Sequence, residues 1–354
     1  MTKQYIRPGK VWLDTTGERI QAHGGSVIYV NGVYYWYGEN KDHTTGEDDI
    51  WSWGVGCYSS IDLVNWKNEG LIIAPNLEDP TSPLHPSSVL DRPHIIYNKM
   101  TQKYVCWIKI QNHVDDTQSE TVLTADHILG PYTIVNRNIR PLGMSAGDFD
   151  LAVADDGKAY YYFERVHSET ICADLTPDYT DVTGYYSTHF PHSNPPFVRE
   201  GTTHFTRKNK HYLLTSGTTG YLPNPSEIAI ADTWHGPYTV LGNPHPDDRS
   251  NTSFHSQISC VFKVEGKKDL YIACADRWLP NDMDMKYEDY AVQFDHRFSK
   301  DYDGPFEQDF PDDPNRNTSI SDYVWLPIRF EHTDHSGDMA FIDWKDQWSP
   351  DDYE

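Results

Sequence analysis

The chain has 354 residues, more than one hydrophobic core usually fills, so its length allows two domains or one large repetitive fold and does not choose between them. Its 53 acidic against 29 basic residues give a formal charge of −24, which disfavours nucleic acid and anionic membrane surfaces as partners and suits a neutral ligand. The start, MTKQYIRPGKVWLD, carries no apolar leader, and no apolar run reaches about 18 residues, so a soluble protein is expected, cytoplasmic or secreted after loss of a leader.

In chain order, five segments share one pattern of a polar or glycine-rich start, an apolar strand, a turn and an aromatic-rich strand. They are HGGSVIYVNGVYYWYGE from His23, DRPHIIYNKMTQKYVCWIKI from Asp91, GDFDLAVADDGKAYYYFER from Gly147, REGTTHFTRKNKHYLLTSG from Arg199 and HSQISCVFKVEGKKDLYIACADRW from His255. Asn31-Gly32 and Asp156-Gly157 supply the positive φ of tight hairpin turns. Weaker strand pairs follow, among them GVGCYSSIDLVNWKNEGLII from Gly54, TVLTADHILGPYTIV from Thr121 and EIAIADTWHGPYTVL from Glu227, the last two sharing a Gly-Pro-Tyr-Thr turn. No sustained helical periodicity appears. The expectation is an all-β protein: a five-bladed β-propeller of four-stranded antiparallel blades around a central channel, spanning 1–354 as one catalytic domain, with blades starting near 23, 91, 147, 199 and 255. Either MAFIDW near Met339 or KVWLD near Lys10 closes the ring. The five cysteines lack C-x-x-C spacing and lie mostly in strand-like runs, which predicts reduced, buried thiols.

The first strand of each propeller blade lies against the channel, so the polar residues that open the repeats are brought together: His23, Asp91 with Arg92, Asp148, Glu200, and His255 with Gln257. Polar groups there are costly unless hydrated or paired, and a carboxylate-rich pocket accounts for them as a set; singly, each is equally well a strand cap or a ligand for channel water. Glycosidic bond cleavage needs a proton donor and, across the sugar, a group that attacks or directs water. Glu200 and Asp148 stand one blade apart, and a neighbouring carboxylate raises its partner's pKa, which makes Glu200 the donor and Asp148 its modulator.

The motifs QAHGG at Gln21, YWYGE ending at Glu39, CYSSIDLVNW at Cys57, RPHIIYN at Arg92, DDGKAYYYF at Asp155, SGTTG at Ser216, SFHSQ at Ser253, DRW at Asp276 and YVWLPI at Tyr323 run in order along nearly the whole chain. Together they make the sequence resemble glycoside hydrolase family 43, and within it the exo-β-1,3-galactanase-like enzymes. The resemblance implies an exo-acting, inverting hydrolase that removes terminal β-1,3-linked galactose or a similar sugar from oligo- or polysaccharide. β-Xylosidase, α-L-arabinofuranosidase, galactofuranosidase and a non-catalytic carbohydrate-binding propeller are the alternatives. Glu200 is then the general acid, and Asp148 tunes and orients it. The wider family carries a base aspartate where this chain reads AHGGS, and Gln257 falls where the galactanase-like enzymes hold the attacking water with a glutamine, which either orients that water or acts through its imidic tautomer.

By the same matching, Glu39, Asp91 and Glu164 accept hydrogen bonds from sugar hydroxyls, and Trp36 or Trp325 offers an apolar face. Asp91 stands where glutamate is usual, which shortens that contact by about one methylene. Most rings of YYWY and YYYF pack between blades instead, by strand alternation. Arg277 either contacts substrate or pairs with a channel carboxylate. No cofactor is required; a structural cation such as calcium in the channel, near His255 or His23, is implied by the family. His189, His192 and His204 read as surface-loop residues. The partner is a carbohydrate, and no oligomeric state is readable.

Overall fold

The computed structural model describes residues 4–47, 49–111, 117–305, 317–333 and 337–354. Five antiparallel four-stranded sheets follow one another along the chain. Blade 1 holds β1 (His23–Val30), β2 (Val33–Glu39), β3 (Val55–Ser60) and β4 (Lys67–Ile73). Blade 2 holds β5 (Val89–Asn98), β6 (Lys103–Gln111), β7 (Gln118–Ala125) and β8 (Thr133–Ile139), and blade 3 holds β9 (Ala146–Val153), β10 (Ala159–Arg165), β11 (Glu169–Leu175) and β12 (Val182–His189). Blade 4 is β13 (Glu200–Arg207), β14 (Lys210–Ser216), β15 (Glu227–Ala231) and β16 (Thr239–Gly242). Blade 5 is β17 (Gln257–Lys263), β18 (Tyr271–Arg277), β19 (Asp322–Thr333) and β20 (Gly337–Ile342), and α1 (Ala291–Phe298) lies in the β18–β19 connection.

The first strands touch in a closed ring, β1 to β5 to β9 to β13 to β17 and back to β1. This is the expected five-bladed propeller. The open end of the ring is closed by Met339's strand, since β20 is the outer strand of blade 5. Lys10 instead forms a bridge with Tyr323, and Ile6 pairs with Trp348, so the N-terminal segment clamps blade 5 without joining its sheet.

Apolar burial follows the blade interfaces. One buried cluster joins blades 1 and 5 through Tyr34, Trp36, Trp66, Ile272, Tyr323 and Trp325, and four others fill the remaining gaps between blades. Each gap is a modest core, and five of them carry a chain this long. All five cysteines are buried and unpaired in these layers. Two of the three expected surface-loop histidines are interior: His204 lies within β13, stacked on Tyr162 and hydrogen-bonded to His211, and His189 is buried at the end of β12.

The pairing of first and second strands slips by a bulge near the channel mouth in every blade. At three of them the residue after the pocket side chain takes positive φ: Gly24 (+60°), Arg92 (+50°) and Gly201 (+58°). Each turns its N–H onto a carboxylate of the preceding blade. Gly24 donates to Asp276 (3.0 Å), Arg92 to Glu39 (3.1 Å) and Gly201 to Asp148 (3.1 Å). A bulge re-aims a side chain, and here it also ties blade to blade.

Candidate active site

Polar residues at the strand starts converge at the mouth of the channel. Asp148 is buried between two cations: Lys109 Nζ lies 2.9 Å from Oδ1 and Arg92 Nη2 lies 2.9 Å from Oδ2. Burial pushes its carboxyl up, but Arg92 and Lys109 outweigh burial and hold it well below the usual aspartate range. Asp148 is therefore a fixed negative charge. Glu200, partly accessible at the start of β13, shows the opposite balance. Burial and the charges of Asp148 and Glu164 push its pKa well above the ordinary carboxylate range, with His167 and Lys109 opposing. Its Oε1 accepts a hydrogen bond from Gln257 Nε2 at 3.0 Å. Two carboxyls one blade apart are thus split, one held below and the other raised above the ordinary range.

Gln257 is held on every side: Nε2 also donates to Ser216 Oγ (3.0 Å), and Oε1 accepts from Trp278 Nε1 (3.3 Å). Asp91, partly accessible, accepts from Trp51 Nε1 (2.7 Å) and lies 3.1 Å from Lys109 Nζ. Glu39 is buried with Lys41 Nζ 2.9 Å from Oε2; burial pushes its pKa up to about 7, Lys41 opposing and Asp91 adding to the rise. Glu164 is buried against His167 (2.7 Å), and although burial disfavours the imidazolium, Glu164 raises the His167 pKa to about 9. Two glycines make room for these acids. A Cβ on Gly24 would come within 2.4 Å of Glu39 Oε1, and one on Gly147 within 2.1 Å of Glu164 Oε2.

These contacts close into a circuit. From Glu200 it runs through Gln257 to Trp278, across the rings of Tyr221 (5.2 Å) and Trp51 (5.9 Å), then through Asp91 and Lys109 to Asp148 and back to the backbone beside Glu200. Blades 2, 3 and 4 supply the charged half. The aromatic half is an arch: Trp51 sits in the β2–β3 loop of blade 1, Tyr221 in the β14–β15 loop of blade 4, and they stack across the mouth of blade 5. Blade 3, beside Glu164 and Glu200, has only residues 166–168 between β10 and β11, and the end of α1 packs against that short turn, Phe298 lying 6.2 Å from the His167 ring.

Three expected site residues are elsewhere. Trp36 (3% exposed) and Trp325 (1%) lie inside the cluster between blades 1 and 5, because both strand positions face the neighbouring sheet, so neither offers a face to sugar. Arg277 is also buried and pairs with no channel carboxylate among the described contacts: it donates to the carbonyls of Phe254 (2.8 Å) and Gly9 (3.4 Å), tying the N-terminal segment to blade 5. Sequence reading missed Lys109, His167, Trp51, Tyr221 and Trp278. Lys109 had a signal, since a lysine inside the apolar run CWIKI must be paired. Trp278 stood next to Arg277 in DRW.

The channel cation implied by the resemblance does not fit these donors. Asp148 is held by Arg92 and Lys109, and Asp150 takes His94 (2.8 Å) and the His204 N–H (2.5 Å). The His23 ring nitrogens lie against Asp276 (3.1 Å) and Gln21 (2.9 Å), and among the described residues no three metal-binding side chains gather. His255 Nδ1 is buried without a hydrogen-bond partner, but with no companion ligands.

The model of glycosyl hydrolases family 43 matches residues 20–277, most of the chain, with Asp148, Glu200 and Gln257 inside the match. The chain belongs to this family. Among solved structures it is similar to a family 43 β-1,3-galactosidase, at 29% identity and TM-score 0.79 over 99% of this chain and 65% of that one. A second family 43 β-1,3-galactosidase, solved with galactodeoxynojirimycin, is 26% identical with TM-score 0.77, covering 97% of this chain and all of the other. An exo-β-1,3-galactanase from Clostridium thermocellum is 25% identical with TM-score 0.73, over 97% of this chain and 66% of that one. The chain thus spans about two thirds of the first and third of these family 43 proteins. No curated protein sequence matches it. Membership implies a carbohydrate substrate, and no helix among the described residues is long and apolar enough to cross a membrane.

Proposed function

We propose that this family 43 protein is an exo-acting, inverting hydrolase that releases terminal β-1,3-linked galactose from oligo- or polysaccharide. The observation that carries the reading is the split pair: Glu200, pushed well above the ordinary carboxylate range, beside an Asp148 held well below it by Arg92 and Lys109. Glu200 gives its proton to the glycosidic oxygen as the C–O bond breaks, and Asp148 sets that proton's affinity without touching the reaction. Gln257 holds the attacking water. In the free site its amide contacts Glu200 directly, closer than the roughly 6.5–9.5 Å that an inverting pair needs, so bound sugar has to part them. Ser216 and Trp278 retain the amide when it does. Glu39, Asp91 and Glu164 face the sugar hydroxyls.

Release from chain ends fits the rim. The arch of Trp51, Tyr221 and Trp278 walls the pocket over blades 5 and 1, which closes one side of it to a continuing chain. Galactose is supported by the likeness to the two galactosidases and the galactanase. A panel of aryl glycosides and β-1,3-galacto-oligosaccharides tests the reading. Wild type is expected to release galactose as the α-anomer first, seen by NMR, and Glu200→Gln to lose roughly 100-fold or more in kcat. A preference for xylosides or arabinosides would replace galactose, and undiminished hydrolysis by Glu200→Gln would remove the acid.

A further inference from the structure

An amide can orient water but is far too weak a base to take its proton, so the site needs a carboxylate opposite Glu200. At the first-blade position where the wider family carries that carboxylate stands His23. Its ring is fully buried, stacked on Tyr323 and bonded to Gln21. The volume is not left without an acid. Asp276, on β18 of blade 5, reaches across the gap so that Oδ2 accepts the Gly24 N–H (3.0 Å) and Oδ1 meets His23 Nδ1 (3.1 Å). It is the direct cross-strand partner of Gln257 and lines the same pocket, together with His255, Tyr221 and Trp278.

We propose that Asp276 is the general base of this site. The missing carboxylate has moved from the first strand of blade 1 to the second strand of blade 5, and the positive φ of Gly24 turns its N–H onto it. Each oxygen has one hydrogen-bond partner and keeps a lone pair for water. Around the ring the order is Glu200 on blade 4, Gln257 on blade 5, then Asp276 at the gap to blade 1, which puts the base beyond the amide as seen from the acid. Gln257 and Asp276 then hold one water between them. As that water's oxygen bonds to the anomeric carbon, one of its protons passes to Asp276. The C–O electron pair goes to the leaving oxygen, which takes the proton of Glu200. Exchange with solvent returns a proton to Glu200 and removes one from Asp276.

This rests on the site being that of an inverting hydrolase but not on the sugar being galactose, so it is tested on whichever aryl glycoside the wild type cleaves best. Asp276→Asn, close in shape, is expected to lose about 100-fold or more in kcat. Azide should restore turnover and yield a glycosyl azide of inverted configuration, a signature that a folding defect cannot produce. Asp276→Glu should recover part of the loss. Gln257→Ala should raise KM, with turnover not rescued by azide. Asp276→Asn within threefold of wild type, or inactive and unrescued, would overturn the assignment. So would azide rescue of Gln257→Ala, which is informative even if the Asp276 variants do not fold. A wild type that prefers another sugar would change the proposed substrate and leave the base to be decided by the same rescue.

Discussion

Glu200 is useful only while it carries its proton, and the residues around it set the pH at which that ends. Activity should fall on the alkaline side as pH rises through its raised pKa. His167, a cation that lowers that pKa, moves the limb down, so His167→Gln should shift the alkaline limb of kcat upward. Asp148→Asn should shift it downward, because the charge that raises Glu200 is gone. Profiles moving together, or not at all, would disconnect these groups from the acid. A second buried acid has no part in the chemistry: Glu120 accepts from Tyr161 (2.8 Å), its other oxygen is unpartnered, and burial raises its pKa well above normal. A carboxyl whose pKa rises on folding stabilises the fold below its unfolded pKa. That contribution is lost as pH climbs towards the folded value, at about 1.4 kcal/mol for each pH unit between the two. Glu120→Gln should flatten the fall of Tm as pH rises above the ordinary glutamate pKa, read by thermal melts at each pH.

Strands and loops differ in how well the sequence exposed them. The Asn-Gly turn and the alternating runs place β1 and β2 without ambiguity, and the acids that open β5, β9 and β13 are legible because an inner strand has no other use for a charge. The aromatics were not separable by type. Trp36 and Trp325 occupy strand positions facing the next blade, whereas Trp51, Tyr221 and Trp278 sit in mouth loops or just past a strand end, and composition is alike in both places. What distinguishes them is whether a ring belongs to a sheet face or to a connection that crosses the channel. Tyr221 is the keystone of that connection. Tyr221→Ala should let the enzyme cut β-1,3-galactan chains whose non-reducing ends are blocked, giving internal fragments, while Tyr221→Phe keeps the wild-type pattern. Chromatography of the products checks this, and blocked chains that stay intact would deny the arch its part in chain-end selection.

For the molecule as a whole, stability is spread over five interfaces, so damage at one gap should be large but local. Trp325→Ala, in the gap between blades 1 and 5, should cost roughly 3–5 kcal/mol in denaturant unfolding and leave KM unchanged; a raised KM would return that ring to the sugar site. The closing strand was not readable because both ends carry equally strand-like runs, and only the pairing of β20 with β19 decides between them. The bulges at the mouth have a wider consequence. Glu39, Asp148 and Asp276 each hold a backbone N–H of the next blade, so the buried acids of the mouth are also rivets of the ring. Removing Asp148 frees that N–H and strands Arg92 and Lys109 as buried charges, a loss of about 3–5 kcal/mol. Evolution of a new specificity in this pocket is therefore taxed by assembly: an acid can be moved only if another reaches the same amide, as Asp276 does at Gly24.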